Sequence, residues 1–430
     1  MRRMLCLALL LVACAELPPI PTVTELQPFR ATTDVWSGSS VRITSAAFAG
    51  AASPPAVLLD QLPLEARRVD DTTLIASIPE APGPHYLRVV AKNVDTASII
   101  VYLRGFVQHV EGPFLSGRVE SGRDPRHVFG NGPTSLRRWN IATNKAIDYA
   151  DSLHAVTCTR GVGPSPTAGD LALLTGGCTA GTWMVWHPEP LAATDTTSVA
   201  VTDFVAVLRT DRWIVLNNGL FSLVACESAT VCTSEAIAGL VGTDVMRSPR
   251  GDRAALLGRR AGPGGPGGPG PTNVIPVVDV AGGAIAYHVP PLSGVQGAAF
   301  TPEGDTLFLA GDSAGAPALA AVLAADGARL ATRTLALSPC AVAADGAQRW
   351  LYVAGLVTLA ADTTSVLQVL DRATLNVITT LQVTGADGYD GKRCRIVQNP
   401  IESRVYVVAT WAGEHNPAVH AQLYSFETPR

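Results

Sequence analysis

The sequence predicts an all-β protein, a small β-sandwich followed by a seven-bladed β-propeller, and three observations carry the prediction. First, only 16% of the 430 residues are charged while 47% are hydrophobic, with 40 glycines and 31 prolines. Soluble domains average ~25% charged, so this balance favours turn-rich β structure over charged helical bundles or coiled coils. Second, residues 22–104 alternate short apolar runs with turn signals and show no helical period. Third, residues 105–430 repeat one unit at intervals of 40–54 residues, the length of a four-stranded blade. At ~150 residues per domain, the length allows two or three domains, or one large all-β unit plus an extra.

Residues 1–13 begin with Arg2 and Arg3 and continue into an apolar run at 5–12. That run is too short to span ~30 Å of hydrocarbon and reads as a signal peptide. Its end, Leu11-Val12-Ala13-Cys14, resembles the lipobox of bacterial lipoproteins. The resemblance implies cleavage before Cys14, acylation of its thiol, and, because Ala15 rather than aspartate follows, an outer-membrane or cell-surface location. Two or more acyl chains hold stably at ~0.8 kcal/mol per buried CH2. An ordinary secretory signal with an incidental cysteine is the other reading, and it exports the chain equally. Residues 14–21 form a proline-rich, lipidated tether. The net charge of −4 becomes −6 once Arg2 and Arg3 are removed, a poor electrostatic start for nucleic acid.

In residues 22–104 the runs VTEL, SVRIT, AVLLD, TTLIASIP, HYLRVVA and SIIVYL supply six short strands, enough for a small sandwich. The pattern Leu26-x-Pro28, Gly38-Ser-Ser-Val41-Arg-Ile43, Val69-Asp-Asp-Thr-Thr-Leu74 and Gly83 to Val90 is similar to an IPT/TIG domain. That family implies an immunoglobulin-like fold of surface receptors and extracellular proteins, here without the immunoglobulin disulfide.

From residue 105 to 430 a turn followed by an apolar strand recurs. Ser248-Pro-Arg-Gly-Asp leads into Ala254, Thr301-Pro-Glu-Gly-Asp into Leu307, Ala344-Asp-Gly into Leu351, and Asn399-Pro-Ile-Glu into Val405. Weaker copies centre on Val128, Leu171 and Ile214. Seven markers imply seven blades. The last copy ends without a fourth strand, and an orphan strand at 106–110 precedes the first, so the two should pair and close the ring, leaving no open edge. The unit resembles the YVTN/NHL-like propeller repeats of bacterial surface proteins.

A four-strand meander puts the loops between second and third strands on the same face as the inter-blade loops. Those at 259–273, 311–317, 355–365 and 410–418 are long, so this is the decorated face, where binding usually resides. Candidate contacts there are Asp312, Trp411, Asn217, Asn218 and the loop residues Asp387, Asp390 and Arg393. Asp387 and Asp390 could hold Ca2+ or a sugar hydroxyl and Arg393 an anion, though a polar inter-blade turn reads the same way; no other cofactor is expected. His415 and His420 with Glu414 fall on a proline-containing loop, where solvation outweighs metal binding.

Six cysteines remain after Cys6 and Cys14, an even count suited to disulfides in an oxidising compartment. Cys226 and Cys232 flank one tight turn, and Cys158 and Cys178 flank a first hairpin. Cys340 and Cys394 each fall 11 residues before their repeat markers, a staple between neighbouring blades. Buried free thiols are the alternative. Gly311-Asp-Ser-Ala-Gly315 matches a hydrolase nucleophile elbow centred on Ser313, but its alignment with the other repeats makes it a loop followed by a strand. The expected role is non-catalytic recognition of an envelope protein or glycan; the alternative is a lactonase-like propeller hydrolase working at the channel mouth.

Overall fold

Alternation of apolar and polar residues builds the strands. Val41 and Ile43 are buried with exposed Arg42 between them, and Ile99, Val101 and Leu103 are buried with exposed Ile100 and Tyr102 between, the period of a strand with one covered face. The computed structural model describes residues 29–429 except 50–52, 91–97, 113–118, 122–123, 132–135, 150–158, 163–171, 177–181, 189–190, 199–203, 210–211, 218–219, 229–230, 261–274, 283, 290–291, 347–348, 360–361, 384–387, 390–391, 400–401 and 412–420. Among the described residues every regular element is a strand apart from the 3-10 turn Ala46–Phe48. No helix among them is long and apolar enough to cross a membrane.

The chain divides into two compact units. The first comprises residues 1–33, 40–78 and 84–102, and the second 34–39, 79–83 and 103–430. The N-terminal region carries two sheets. One orders Arg30–Ala31, Ser40–Thr44, Thr73–Ser77 and Ala66–Asp70; the other orders Asp34–Trp36, Ser98–Arg104, Gly83–Val90, Ala56–Leu59 and Leu62–Leu64.

In the second unit, consecutive strands pair antiparallel into sheets that follow one another along the chain. Four-stranded sheets occupy Glu120–Ser121 to Lys145–Tyr149, Thr159–Val162 to Leu191–Ser198, Ser293–Phe300 to Arg329–Thr334, and Ser338–Ala344 to Val377–Gln382. Between the second and third of these lies a seven-stranded sheet from Phe204–Arg209 to Ala284–Val289. The repeat pattern predicts two separate sheets there. Instead the 17-residue strand Val231–Arg247 serves both, pairing Leu220–Ser228 with its first part and Arg253–Arg260 with its last. The marker interval spanned here, 40 residues from Ile214 to Ala254, is the shortest in the chain, because the connection has become strand.

The last sheet borrows its fourth strand. Lys392–Asn399, Arg404–Trp411 and Ala421–Glu427 are completed by Phe106–Gly112, with Phe106 opposite Phe426 and His109 opposite Tyr424. The core lies between successive sheets. Tyr352, Leu367 and Val369 of one sheet join Val407, Tyr424 and Phe426 of the next in a single cluster, to which Trp36 is added.

The repeated turn has a physical basis. Thr301 Oγ1 donates to Asp305 Oδ1 at 2.6 Å and Ser248 Oγ to Asp252 Oδ1 at 2.7 Å. Gly304 and Gly251 take φ of +71° and +68°, which glycine adopts without steric cost. Two loops expected to be long are not. Thr306–Ser313 and Ala316–Leu323 pair out to Ser313 opposite Ala316, leaving a two-residue turn of Ala314 and Gly315 at φ +52° and +83°. Trp350–Leu359 and Asp362–Asp371 likewise pair out to Leu359 opposite Asp362. In the first of these turns, positive φ at both Ala314 and Gly315 matches the strand twist and lets the ladder continue.

Candidate functional site

Four strands of the second unit open their sheets or half-sheets and face one another: the last part of Val231–Arg247, then Ser293–Phe300, Ser338–Ala344 and Lys392–Asn399. With Val119 they line a cavity of about 220 Å3. Asp244, Gly297, Ala341 and Arg395 occupy one equivalent position, opposite Leu257, Ala310, Ala354 and Val408. Register shifts precede three of them, at Gly242/Asp244, Ser293/Gly297 and Pro339/Ala341. Such bulges re-aim side chains beside functional sites.

The two charged members meet across the cavity. Arg395 Nη2 donates to Asp244 at 3.2 Å, and Nη1 donates to Met246 Sδ at 3.0 Å. Asp244 Oδ1 also accepts the Val245 backbone N–H at 2.8 Å, which orients the carboxylate. The small members, Gly297 and Ala341, bring the middle strands together: a Cβ on Gly297 would lie 2.9 Å from Ala341 Cα. Cys340 and Cys394 form a disulfide in the cavity wall, Cα atoms 5.6 Å apart. Arg247 and Gln296 complete the polar lining. A guanidinium, a carboxylate and an amide around a space floored by small residues are suited to holding a charged or hydrogen-bonding group.

Elsewhere two carboxylates, Asp305 and Asp124, hold turns. The Thr301 hydroxyl holds the Asp305 carboxyl below its ordinary range. Hydrogen bonds from the Arg126 side chain bring Asp124 down to about 2.

The residues expected from sequence to bind lie elsewhere. Arg393 is exposed at the start of Lys392–Asn399, opposite Thr410. Asp312 is half-buried near the end of Thr306–Ser313, opposite Ser293 and Pro317. Asn217 and Trp411 end their strands at the corresponding edge, with side chains outside the described set. Neither Arg393 nor Asp312 lines the cavity. Asp387, Asp390 and Asn218, and with them the expected Ca2+ ligands, lie outside the described residues, as do Cys14, Cys158, Cys178, Glu414, His415 and His420. Cys226 and Cys232 are cross-strand partners by register, with side chains outside the described set. Ser313 is followed by a strand rather than a helix, which removes the elbow context. Among the described residues no group of three or more His, Cys, Asp or Glu side chains could hold a metal.

Sequence reasoning missed the Asp244–Arg395 pair, although a signal existed. Each lies ten residues before its repeat marker, one position along from the cysteine series.

No known family model and no curated protein matches the chain. Solved structures do. The β-propeller domain of Cps50 (Swd1) from Myceliophteria thermophila superposes with a TM-score of 0.54 at 10% identity, covering 76% of this chain and 99% of that one. A chain of the mitotic checkpoint complex gives 0.53 at 12% identity, covering 80% and 99%. The fold is therefore that of a β-propeller, in a chain that is nearly all β.

Proposed function

We propose that this is a lipid-anchored extracytoplasmic scaffold in which a seven-bladed propeller, carried behind an immunoglobulin-like sandwich of the IPT/TIG kind, recognises an envelope protein through one decorated face. The observation that carries the reading is the pairing of Phe106–Gly112 with Ala421–Glu427. A sheet completed by strands from both ends of a unit leaves little freedom in that unit, and a rigid platform lowers the entropic cost of binding. The count of seven follows if the shared strand Val231–Arg247 is divided between two blades. The solved neighbour that belongs to a checkpoint complex makes a protein partner the preferred ligand class over a glycan. Anchoring rests on Cys14 and its preceding residues. The face would present Asp312, Arg393 and Trp411 on the edge where the long hairpins end.

Two measurements test this. Metabolic labelling with an alkyne fatty acid should mark the wild-type chain and not Cys14→Ala; equal labelling contradicts the anchor. The acyl-free chain, residues 15–430, should bind an envelope protein in a purified panel, and the triple variant Asp312→Ala, Arg393→Ala, Trp411→Ala should lose at least tenfold in affinity. Binding that survives the triple variant moves recognition off this face.

A further inference from the structure

We propose that the N-terminal unit carries a docking surface for an anionic phospholipid membrane, formed by Arg30, Arg42 and Arg67 on the outer face of one sheet. Strand order and register bring the three together. Arg30–Ala31, Ser40–Thr44, Thr73–Ser77 and Ala66–Asp70 lie side by side in that order. Arg42 is opposite Ile75, and Ile75 is opposite Arg67. Arg30 is opposite Thr44, which lies two positions along the strand from Arg42. Residues opposite one another share a face, as do residues two apart along a strand. The other face is the core side, where Ile43 and Leu74 are fully buried.

All three arginines are exposed, and none makes a hydrogen bond or ion pair with another described residue. Arg68, on the core side of the same strand, differs: it donates to the Asp70 carbonyl at 3.3 Å and to the Phe48 carbonyl. The carboxylates nearest along these strands stand at the ends of the stripe. Glu65 lies beyond Arg67, where its carbonyl accepts the Ser77 N–H. Asp70 closes the turn at the other end, its Oδ1 accepting the Thr72 N–H at 2.8 Å and the Thr72 hydroxyl at 3.0 Å. Asp71 pairs with Arg68 at 4.0 Å. The row of Arg42, Ile75 and Arg67 is left cationic.

The charge identifies the partner. A guanidinium fork fits phosphate oxygens and keeps its charge at any physiological pH. An exposed sheet face offers that charge to a surface rather than enclosing a single ion. The whole chain has a net charge of −4, so the cluster is not the by-product of a basic protein. Arg30 stands on the edge strand of this sheet, and fifteen positions separate its neighbour Phe29 from Cys14. Fully extended, that stretch reaches at most about 50 Å, so an acylated Cys14 keeps the sheet close to lipid. A basic patch reinforces an acyl anchor. The surface takes its place in the cell from the anchored reading proposed above, while the chemistry of the arginines is independent of it.

Sedimentation of the acyl-free chain, residues 15–430, tests the surface with vesicles of phosphatidylcholine alone and with vesicles in which a third of the lipid is phosphatidylglycerol. Binding is expected to the second and not the first, and it should vanish as NaCl rises from about 0.05 M to about 0.5 M. An arginine at an anionic surface is worth about fivefold in partitioning. The triple variant Arg30→Gln, Arg42→Gln, Arg67→Gln should therefore bind at least tenfold more weakly, with an unchanged circular dichroism spectrum. Glu65→Gln should bind more tightly. Arg329→Gln, exposed on a strand of the second unit, controls for net charge and should change binding less than twofold. Equal binding to both vesicles, binding to neither, or binding that the triple variant keeps overturns the proposal. Retention on heparin without vesicle binding assigns the face to a soluble polyanion and overturns it too. Fatty-acid labelling of Cys14 is read separately. Labelling without vesicle binding removes the surface and leaves the anchor; vesicle binding without labelling does the reverse.

Discussion

Cys340 and Cys394 are bonded to each other across two consecutive sheets, at a sequence separation of 54. Each sits on the opening strand of its sheet, so the link joins equivalent places. Closing a loop of that length contributes about 4 kcal/mol in the chain-entropy model. The double variant Cys340→Ser, Cys394→Ser should therefore lower the unfolding free energy by roughly 2–4 kcal/mol. Urea denaturation of the oxidised protein and the variant measures it; equal midpoints would mean the bond restrains nothing.

Gly297 allows the opening strands to approach. A Cβ at this position would lie 2.9 Å from both Ala341 Cα and Val342 N, and backbone atoms cannot rotate out of the way. Gly297→Ala should cost about 1–3 kcal/mol through overpacking, whereas Gly315→Ala, with open space around it and φ of +83°, should cost only the conformational penalty of about 1 kcal/mol. Thermal melts of the two variants, compared with wild type, check the order.

Trp36 is a core residue of the second unit despite its place near the N-terminus. Its ring meets Trp350 at 6.3 Å and Tyr352 at 6.2 Å, both edge-on, and it is 2% exposed. Trp36→Ala should destabilise by about 3–5 kcal/mol. The indole Nε1–H is buried with no hydrogen-bond partner among the described residues, so Trp36→Phe keeps much of the packing and removes that donor; its cost should be well under half that of the alanine variant. Equal losses in chemical denaturation would contradict this account.

The Thr301–Asp305 turn makes stability depend on pH in a definite direction. The Asp305 carboxyl is held below its ordinary value of 3.8, first by the Thr301 hydroxyl. A group with a lowered folded pKa stabilises above its unfolded pKa and loses that contribution as pH falls through the folded value. Thr301→Val should cost about 1–2 kcal/mol at pH 7, because the buried hydroxyl also accepts the Asp305 and Thr306 N–H groups. The penalty should shrink as the pH drops below 3.8. Urea midpoints of both proteins at pH 7 and pH 3 test it, and a constant difference would exclude the carboxylate's share.

The repeat was legible because its signals are local. Turn residues such as Ser248 and Asp252 bond within five positions, and the apolar run after them is continuous. The Cys340–Cys394 link followed from the same arithmetic, since equal offsets within a repeat are equal places in a ring. What the sequence did not disclose depends on distant parts of the chain meeting. Asp244 and Arg395 are 151 positions apart, and only the arrangement of opening strands brings them together. Trp36 reaches a core built from residues beyond position 340. The shared strand Val231–Arg247 was hidden for another reason: Gly239 and Gly242 look like breaks, yet the strand runs through them, with Gly242 opposite Gly258.

Phe106–Gly112 serves as the fourth strand of the sheet formed by Lys392–Asn399, Arg404–Trp411 and Ala421–Glu427. Amide hydrogen exchange across residues 106–112 measures this, in the intact protein and in a chain truncated after His420. The expected result is slow exchange in the intact protein, comparable with Arg404–Trp411, and fast exchange in the truncated one. Exchange at the rate of an unstructured peptide in the intact protein would show that the two ends are not paired.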